Sequence, residues 1–122
     1  MGASNVVVFD HTFRTANDKV ALEKNTRAPV KAAHNDYTDR SSRQRVRDIL
    51  PADDAEAYLK RRFAIVQTWR PIGHSVQSEP FAICDGRTIP EEGFVTLQRR
   101  YSYRTAETYH ISYHPDHLWY YF

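Results

Sequence analysis

Thr108-Tyr-His-Ile-Ser-Tyr-His-Pro-Asp-His-Leu-Trp-Tyr-Tyr-Phe122 is the stretch on which the fold class turns. Residues 108 to 113 alternate in the period-two pattern of a half-buried strand. His114-Pro-Asp-His117 then breaks the pattern as a turn, and Leu118 to Phe122 resumes it, so the stretch predicts a β-hairpin. Working outward, Phe81 to Cys84 predicts a short strand after Pro80. Phe63-Ala-Ile-Val-Gln-Thr-Trp69, β-branched and aromatic and bounded by Arg70-Pro71, predicts a central one. Pro29 to Ala33 and Val6 to Phe9 predict two more. Between them, residues 10 to 24 form a polar connection with a turn at Asn17-Asp18, and Thr38 to Ser42 forms a loop.

Helical signals are fewer. Val46, Ile49 and Leu50 fall on one face of a helix over Gln44 to Leu50. Pro51 then opens a second helix, with Asp53 and Asp54 near its positive N-terminal end and Lys60, Arg61 and Arg62 near its negative C-terminal end. Strands outnumber helices, and their long connections predict a mainly β chain, a barrel or sandwich with a helical insertion. The aromatic residues at 118–122 would invite self-association if that strand had an unpaired edge.

The 122 residues suffice for a single domain with a core. With 41% hydrophobic residues and a mean hydropathy of -0.68, no apolar run approaches a membrane span, and the N-terminal residues carry no secretory signal. A cytoplasmic location is the default expectation. The single cysteine, Cys84, excludes an internal disulfide and reads as a small buried side chain. A net charge of +2 is too balanced to announce a nucleic-acid partner. Arg40, Arg43, Arg45 and Arg47 lie within eight positions but lack interleaved aromatics, so they read as a solvated, substrate-facing or ion-paired surface rather than a strand-binding one.

His34-Asn35-Asp36 follows the apolar stretch 28–33. On an extended chain its imidazole and carboxylate point to the same side, the arrangement that supplies two ligands of a 2-His-1-carboxylate iron site. A second His-x-Asp, His114-Pro115-Asp116, keeps the assignment open on spacing alone, and the structural alternative for Asp36 is a cap on the loop at Tyr37-Thr38. His110, His114 and His117 with Asp116 would splay to different faces of a hairpin rather than converge on a metal. Asp10, His11 and Arg14 read as a structural ion pair, and Asp85 and Arg87 as a turn with an internal salt bridge. Trp69 and Arg70 offer an aromatic wall and a cation to an acidic substrate or cosubstrate; their structural alternative is a buried Trp beside an Arg that satisfies carbonyls.

Seven blocks occur in the order seen in one family of oxygenases. They are Val8-Phe-Asp-His-Thr-Phe-Arg14, Val30-Lys-Ala-Ala-His-Asn-Asp-Tyr-Thr38, Arg45-Val-Arg47, Trp69-Arg-Pro-Ile72, Val76-Gln-Ser-Glu-Pro80, Cys84-Asp-Gly-Arg87 and Tyr113-His-Pro-Asp-His-Leu-Trp-Tyr-Tyr-Phe122. In these blocks the chain resembles the family of the fungal gibberellin desaturase, the aspergillic acid hydroxylase and the cephamycin 7α-hydroxylase component. The resemblance implies a non-haem Fe(II), 2-oxoglutarate-dependent hydroxylase or desaturase of a small molecule, built on a double-stranded β-helix or jelly-roll barrel. It implies His34 and Asp36 as the iron ligands and leaves His114 and Asp116 in a turn.

The family's second iron-binding His and its 2-oxoglutarate-gripping Arg lie in a later stretch, and the family also begins earlier than the first block. The matched positions therefore form an incomplete barrel, and a complete triad and clamp are not expected from them. Another departure is Gln67-Thr68 before Trp69, where the family pattern has Asn-Val. The competing expectation is a catalytically inactive fragment or interaction module that keeps the β framework, or a chain complemented by a second one.

Overall fold

The computed structural model describes residues 2–102 and 104–122; Met1 and Tyr103 lie outside them. In chain order the elements are helix α1 (Asp18–Glu23), strand β1 (His34–Asn35), helices α2 (Asp39–Ile49) and α3 (Ala52–Leu59), and strands β2 (Ala82–Cys84), β3 (Phe94–Arg100), β4 (Thr105–Ile111) and β5 (Trp119–Tyr121). Two short 3₁₀ turns, Gly86–Thr88 and Glu91–Gly93, lie between β2 and β3. All strand pairing within the two sheets is antiparallel: β1-β4-β3 form one sheet and β2-β5 another. Neither sheet closes on itself among the described residues.

The helix after Pro51 forms where its charge pattern places it. The preceding helix is longer than its apolar spacing predicts, because residues 39–42 join it instead of forming a loop. Thr38 caps it: its Oγ1 accepts from the Ser41 amide at 3.1 Å, and Ser41 Oγ accepts from the Thr38 amide at 2.8 Å. Asn17, expected in a turn, likewise caps α1 by accepting from the Lys19 and Val20 amides.

The strands depart further from expectation. The predicted hairpin over 108–122 does not form. The turn at His114 to His117 is present, with His117 N–H donating to the His114 carbonyl, but the two strands beside it join different sheets. β4 pairs instead with β3, from Phe94↔Ile111 to Arg100↔Thr105, and β5 pairs with β2, Ile83 facing Tyr120. The stretch 94–100 carries the missed signal: Val95 and Leu97 alternate with Thr96 and Gln98. Residues 6–9 and 63–69 are not strands, and 29–33 contributes only its end, where the Ala33 carbonyl accepts from Ile111 N–H. β-branched composition favours a pleated surface only where a neighbouring strand satisfies the backbone, and these segments find none.

The sheet β1-β4-β3 has two unlike faces. One receives α2: Thr38 Oγ1 donates to Glu107 Oε1 at 2.7 Å and Ser41 Oγ to the Glu107 carbonyl at 2.6 Å. Alternation puts His34, His110 and Val95, which are cross-strand neighbours, on the other face together with Leu97 and Thr108. That face is open, with Val95 44% and Leu97 42% exposed.

Among the described residues the buried apolar side chains are Val46 on α2 and Ala55 on α3, two helices in contact, so the core is smaller than the length suggests. The accessible surface of 10457 Å² compares with about 6,800 Å² expected for a compact 14.3 kDa chain. The excess is the open sheet face and the extended segments. Cys84 is half-buried, with Sγ 3.9 Å from Thr88 Oγ1.

The turn after β2 behaves as the sequence suggests. Arg87 Nε and Nη2 clasp Asp85 at 2.9 and 2.5 Å, and the Arg87 backbone N–H adds a third bond. These bonds hold the Asp85 carboxyl at about 2, below its usual 3.8. The group is depressed on folding, so its contribution is complete above the usual carboxylate range and is lost as pH falls through about 2. An NMR titration of Asp85 should therefore show a midpoint near 2, and Arg87→Ala should return it towards 3.8; equal midpoints would contradict the bond.

Candidate metal centre

His34 opens the two-residue strand β1, and Asp36 follows just after it. The imidazole is held from behind: its Nδ1 lies 2.8 Å from the Ala32 carbonyl, which only accepts, so Nδ1 donates there and Nε2 is the nitrogen turned towards Asp36. Nε2 lies 3.4 Å from Asp36 Oδ1. The other carboxylate oxygen, Oδ2, accepts a hydrogen bond from Gln67 Nε2 at 2.8 Å. Both side chains reach solvent, His34 at 28% and Asp36 at 48% exposure, so a metal ion can enter between them.

The pair fits a metal. Two donors about 2.1 Å from one ion, at right angles to each other, stand about 3.0 Å apart, and a 3.4 Å separation opens that angle to about 108°. A small side-chain shift therefore seats an ion on Nε2 and Oδ1. Imidazole nitrogen with carboxylate oxygen is also the donor set of non-haem iron sites. A third donor does not converge: among the described residues no three His, Cys, Asp or Glu side chains are grouped to hold a metal. His110 lies on the same face, its ring centroid 6.1 Å from that of His34. Its position opposite His34 was not legible without the strand register.

Gln67 was also missed as a partner of the site. It lies within the predicted strand 63–69 and contacts Asp36 from 31 residues away. Trp69 and Arg70 follow it. Trp69 is not a buried core residue: it is 44% exposed and stacks on Phe81, with centroids 5.4 Å apart and planes 14° apart. Arg70 is exposed and makes no ion pair among the described residues.

Among the described residues the other polar clusters do not gather three metal donors either. His114 Nδ1 stands 3.8 Å from Asp116 Oδ2, and His114 and His117 lie ring to ring at 5.7 Å, while His110 sits on β4. Arg14 does not pair with Asp10; it donates to the Ala28 carbonyl, and Asp10 accepts from the His11 amide. The arginines of 40–47 are engaged by the protein itself. Arg40 reaches Glu107, Arg47 bonds Glu56 at 2.7 Å, and Arg43 and Arg45 lie over the rings of Phe63 and Phe9. No helix among the described residues is long and apolar enough to cross a membrane.

Residues 1–122 match the family model described as Oxidoreductase/YMDC permease-like domain. Three curated proteins are similar over most of the chain. A hydroxylase/desaturase of Hormonema carpetanum is 28% identical over 91% of this chain and 41% of its own length. A hydroxylase/desaturase of Cercospora beticola is 33% identical over 75% of this chain and 31% of its own. An alpha-ketoglutarate-dependent dioxygenase of Talaromyces stipitatus is 27% identical over 98% and 44%. The chain thus spans less than half the length of each of these relatives.

Proposed function

The chain belongs to the oxidoreductase/YMDC permease-like domain family, and from that membership we propose that it forms part of an Fe(II), 2-oxoglutarate-dependent oxygenase that hydroxylates or desaturates a small molecule. One observation carries the reading: His34 Nε2 and Asp36 Oδ1 converge to 3.4 Å on the sheet face opposite α2, each fixed from behind by a hydrogen bond. Similarity to a dioxygenase named for alpha-ketoglutarate supports the cosubstrate.

In this reading the sheet β1-β4-β3 is one wall of a jelly-roll barrel. Its inner face bears His34, His110, Val95 and Leu97, and the 122 residues form a single, incomplete domain. When bound, the iron and its cosubstrate supply oxygen activation. The chain's own residues do the rest: His34 and Asp36 hold the metal, Arg70 offers a cation to a carboxylate of cosubstrate or substrate, and Trp69 offers a ring face beside it. The remaining metal donor comes from beyond the described residues, from continuing polypeptide or a complementing chain.

The test is metal binding, read by the Co(II) absorption spectrum. Binding lost in both His34→Ala and Asp36→Ala supports the reading, and binding unchanged in either refutes it.

A second reading, an interaction module without catalysis, is favoured by the exposed Val95 and Leu97 on the open sheet face and by the exposed residues Leu118, Trp119, Tyr120, Tyr121 and Phe122. β5 uses one edge to pair with β2, and its other edge pairs with no strand among the described residues. The protein is therefore expected to self-associate, giving a scattering mass above 14.3 kDa that rises with concentration. A concentration-independent monomer mass would count against this.

A further inference from the structure

We infer that Gln67 is a positioning residue for the metal centre, whose amide occupies Asp36 Oδ2 so that Oδ1 alone is presented to a metal. The inference rests on the reading of His34 and Asp36 as ligands. Asp36 needs such a partner more than His34 does. It is 48% exposed and lies just past a strand only two residues long, so neither burial nor a ladder of backbone bonds fixes its carboxylate. Among the described residues Asp36 has one hydrogen-bond donor with a defined geometry, Gln67 Nε2 at 2.8 Å on Oδ2. The oxygen left over, Oδ1, is the one turned to His34 Nε2 at 3.4 Å.

The two ligands are thus held in matching fashion. The Ala32 carbonyl takes the far nitrogen of His34, and the Gln67 amide takes the far oxygen of Asp36, leaving the two near atoms facing one gap. Outer-shell bonds of this kind orient metal ligands and are typically worth 10–100-fold in affinity. A neutral amide suits the task chemically. It fixes the carboxylate while leaving its full negative charge for the cation, whereas a Lys or Arg at 67 would compete with the metal for that charge. The bond also gives the unpaired segment 63–69 a function: it delivers residue 67 to the site without belonging to either sheet.

Co(II) affinity of the purified protein, wild type against Gln67→Met, Gln67→Asn and Asp36→Ala, tests this. Gln67→Met keeps the chain length without the amide and should weaken binding about tenfold or more with an unchanged thermal midpoint. Gln67→Asn keeps the amide on a shorter stem and should fall between it and the wild type. Gln67→Ala serves in place of Gln67→Met should the latter lower the midpoint. If Asp36→Ala loses binding while Gln67→Met or its substitute binds as the wild type does, the positioning role is overturned and the metal site stands. If Asp36→Ala binds as the wild type does, the metal site falls, and the role of Gln67 with it.

Discussion

Co(II) added to the protein is expected to bind at His34 and Asp36, and either alanine variant should weaken that binding by at least about 100-fold, more than loss of an outer-shell bond would. The pair supplies one nitrogen and one oxygen within 3.4 Å, and no third donor joins them among the described residues, so removing either leaves a single ligand. Asp36→Asn tests the charge separately: it keeps the side chain's shape but presents a neutral oxygen, and its affinity should fall nearly as far as that of Asp36→Ala. The same count of donors sets an expectation for turnover. A polypeptide of these 122 residues, given Fe(II) and 2-oxoglutarate, should release no succinate, because two donors do not make the three-ligand facial site that this chemistry uses. Succinate release that His34→Ala abolished would mean that a third donor does reach the metal within the chain.

Thr38→Val should destabilise the fold by about 2–3 kcal/mol, the largest effect expected of any conservative substitution outside the metal centre. Thr38 is 3% exposed, and one hydroxyl does two jobs. It accepts from the Ser41 amide to cap α2, and it donates to Glu107 Oε1 at 2.7 Å to tie that helix to β4. Valine matches threonine in shape but strands the Ser41 amide and removes a bond to a carboxylate that is itself only 16% exposed. Cap loss is worth about 1 kcal/mol and a hydrogen bond to a charged group about 1.5–3, and the two are not fully additive. Urea unfolding measures it, with Thr38→Ser as the control that keeps both bonds. A loss below about 0.5 kcal/mol would show that the helix is held to the sheet by other contacts.

The Thr38 cap shows what could be read in advance and what could not. Pro51 with its flanking charges marked α3 correctly, since those signals act within one helical turn. Thr38-x-x-Ser41 reads as loop in the sequence because the usual capping box carries Glu or Gln three residues after Ser or Thr, and Ser41 fills that role here. The alternation at 108–113 marked β4, but the β-branched and aromatic run 63–69 produced no strand. Alternation states only that a segment suits a sheet, and the pairing depends on which other backbone arrives beside it. β5 illustrates this, since its nearest strand-like neighbour in sequence is β4 and its partner is β2, more than thirty residues upstream.

The sequence by itself determined the family, through seven ordered blocks, and brought His34 and Asp36 to one side, because two residues of spacing on an extended chain suffice for that. Tertiary structure alone decided what surrounds that pair. The strand register put His110 opposite His34, the path of an unpaired segment carried Gln67 to Asp36, and the packing of α2 on one sheet face left the other open beside His34. The physical reason is one of range. Side-chain direction along a strand is fixed by covalent geometry within two residues, whereas the neighbours of a side chain are fixed by contacts between segments 31 to 76 residues apart, as in Asp36 with Gln67 and His34 with His110.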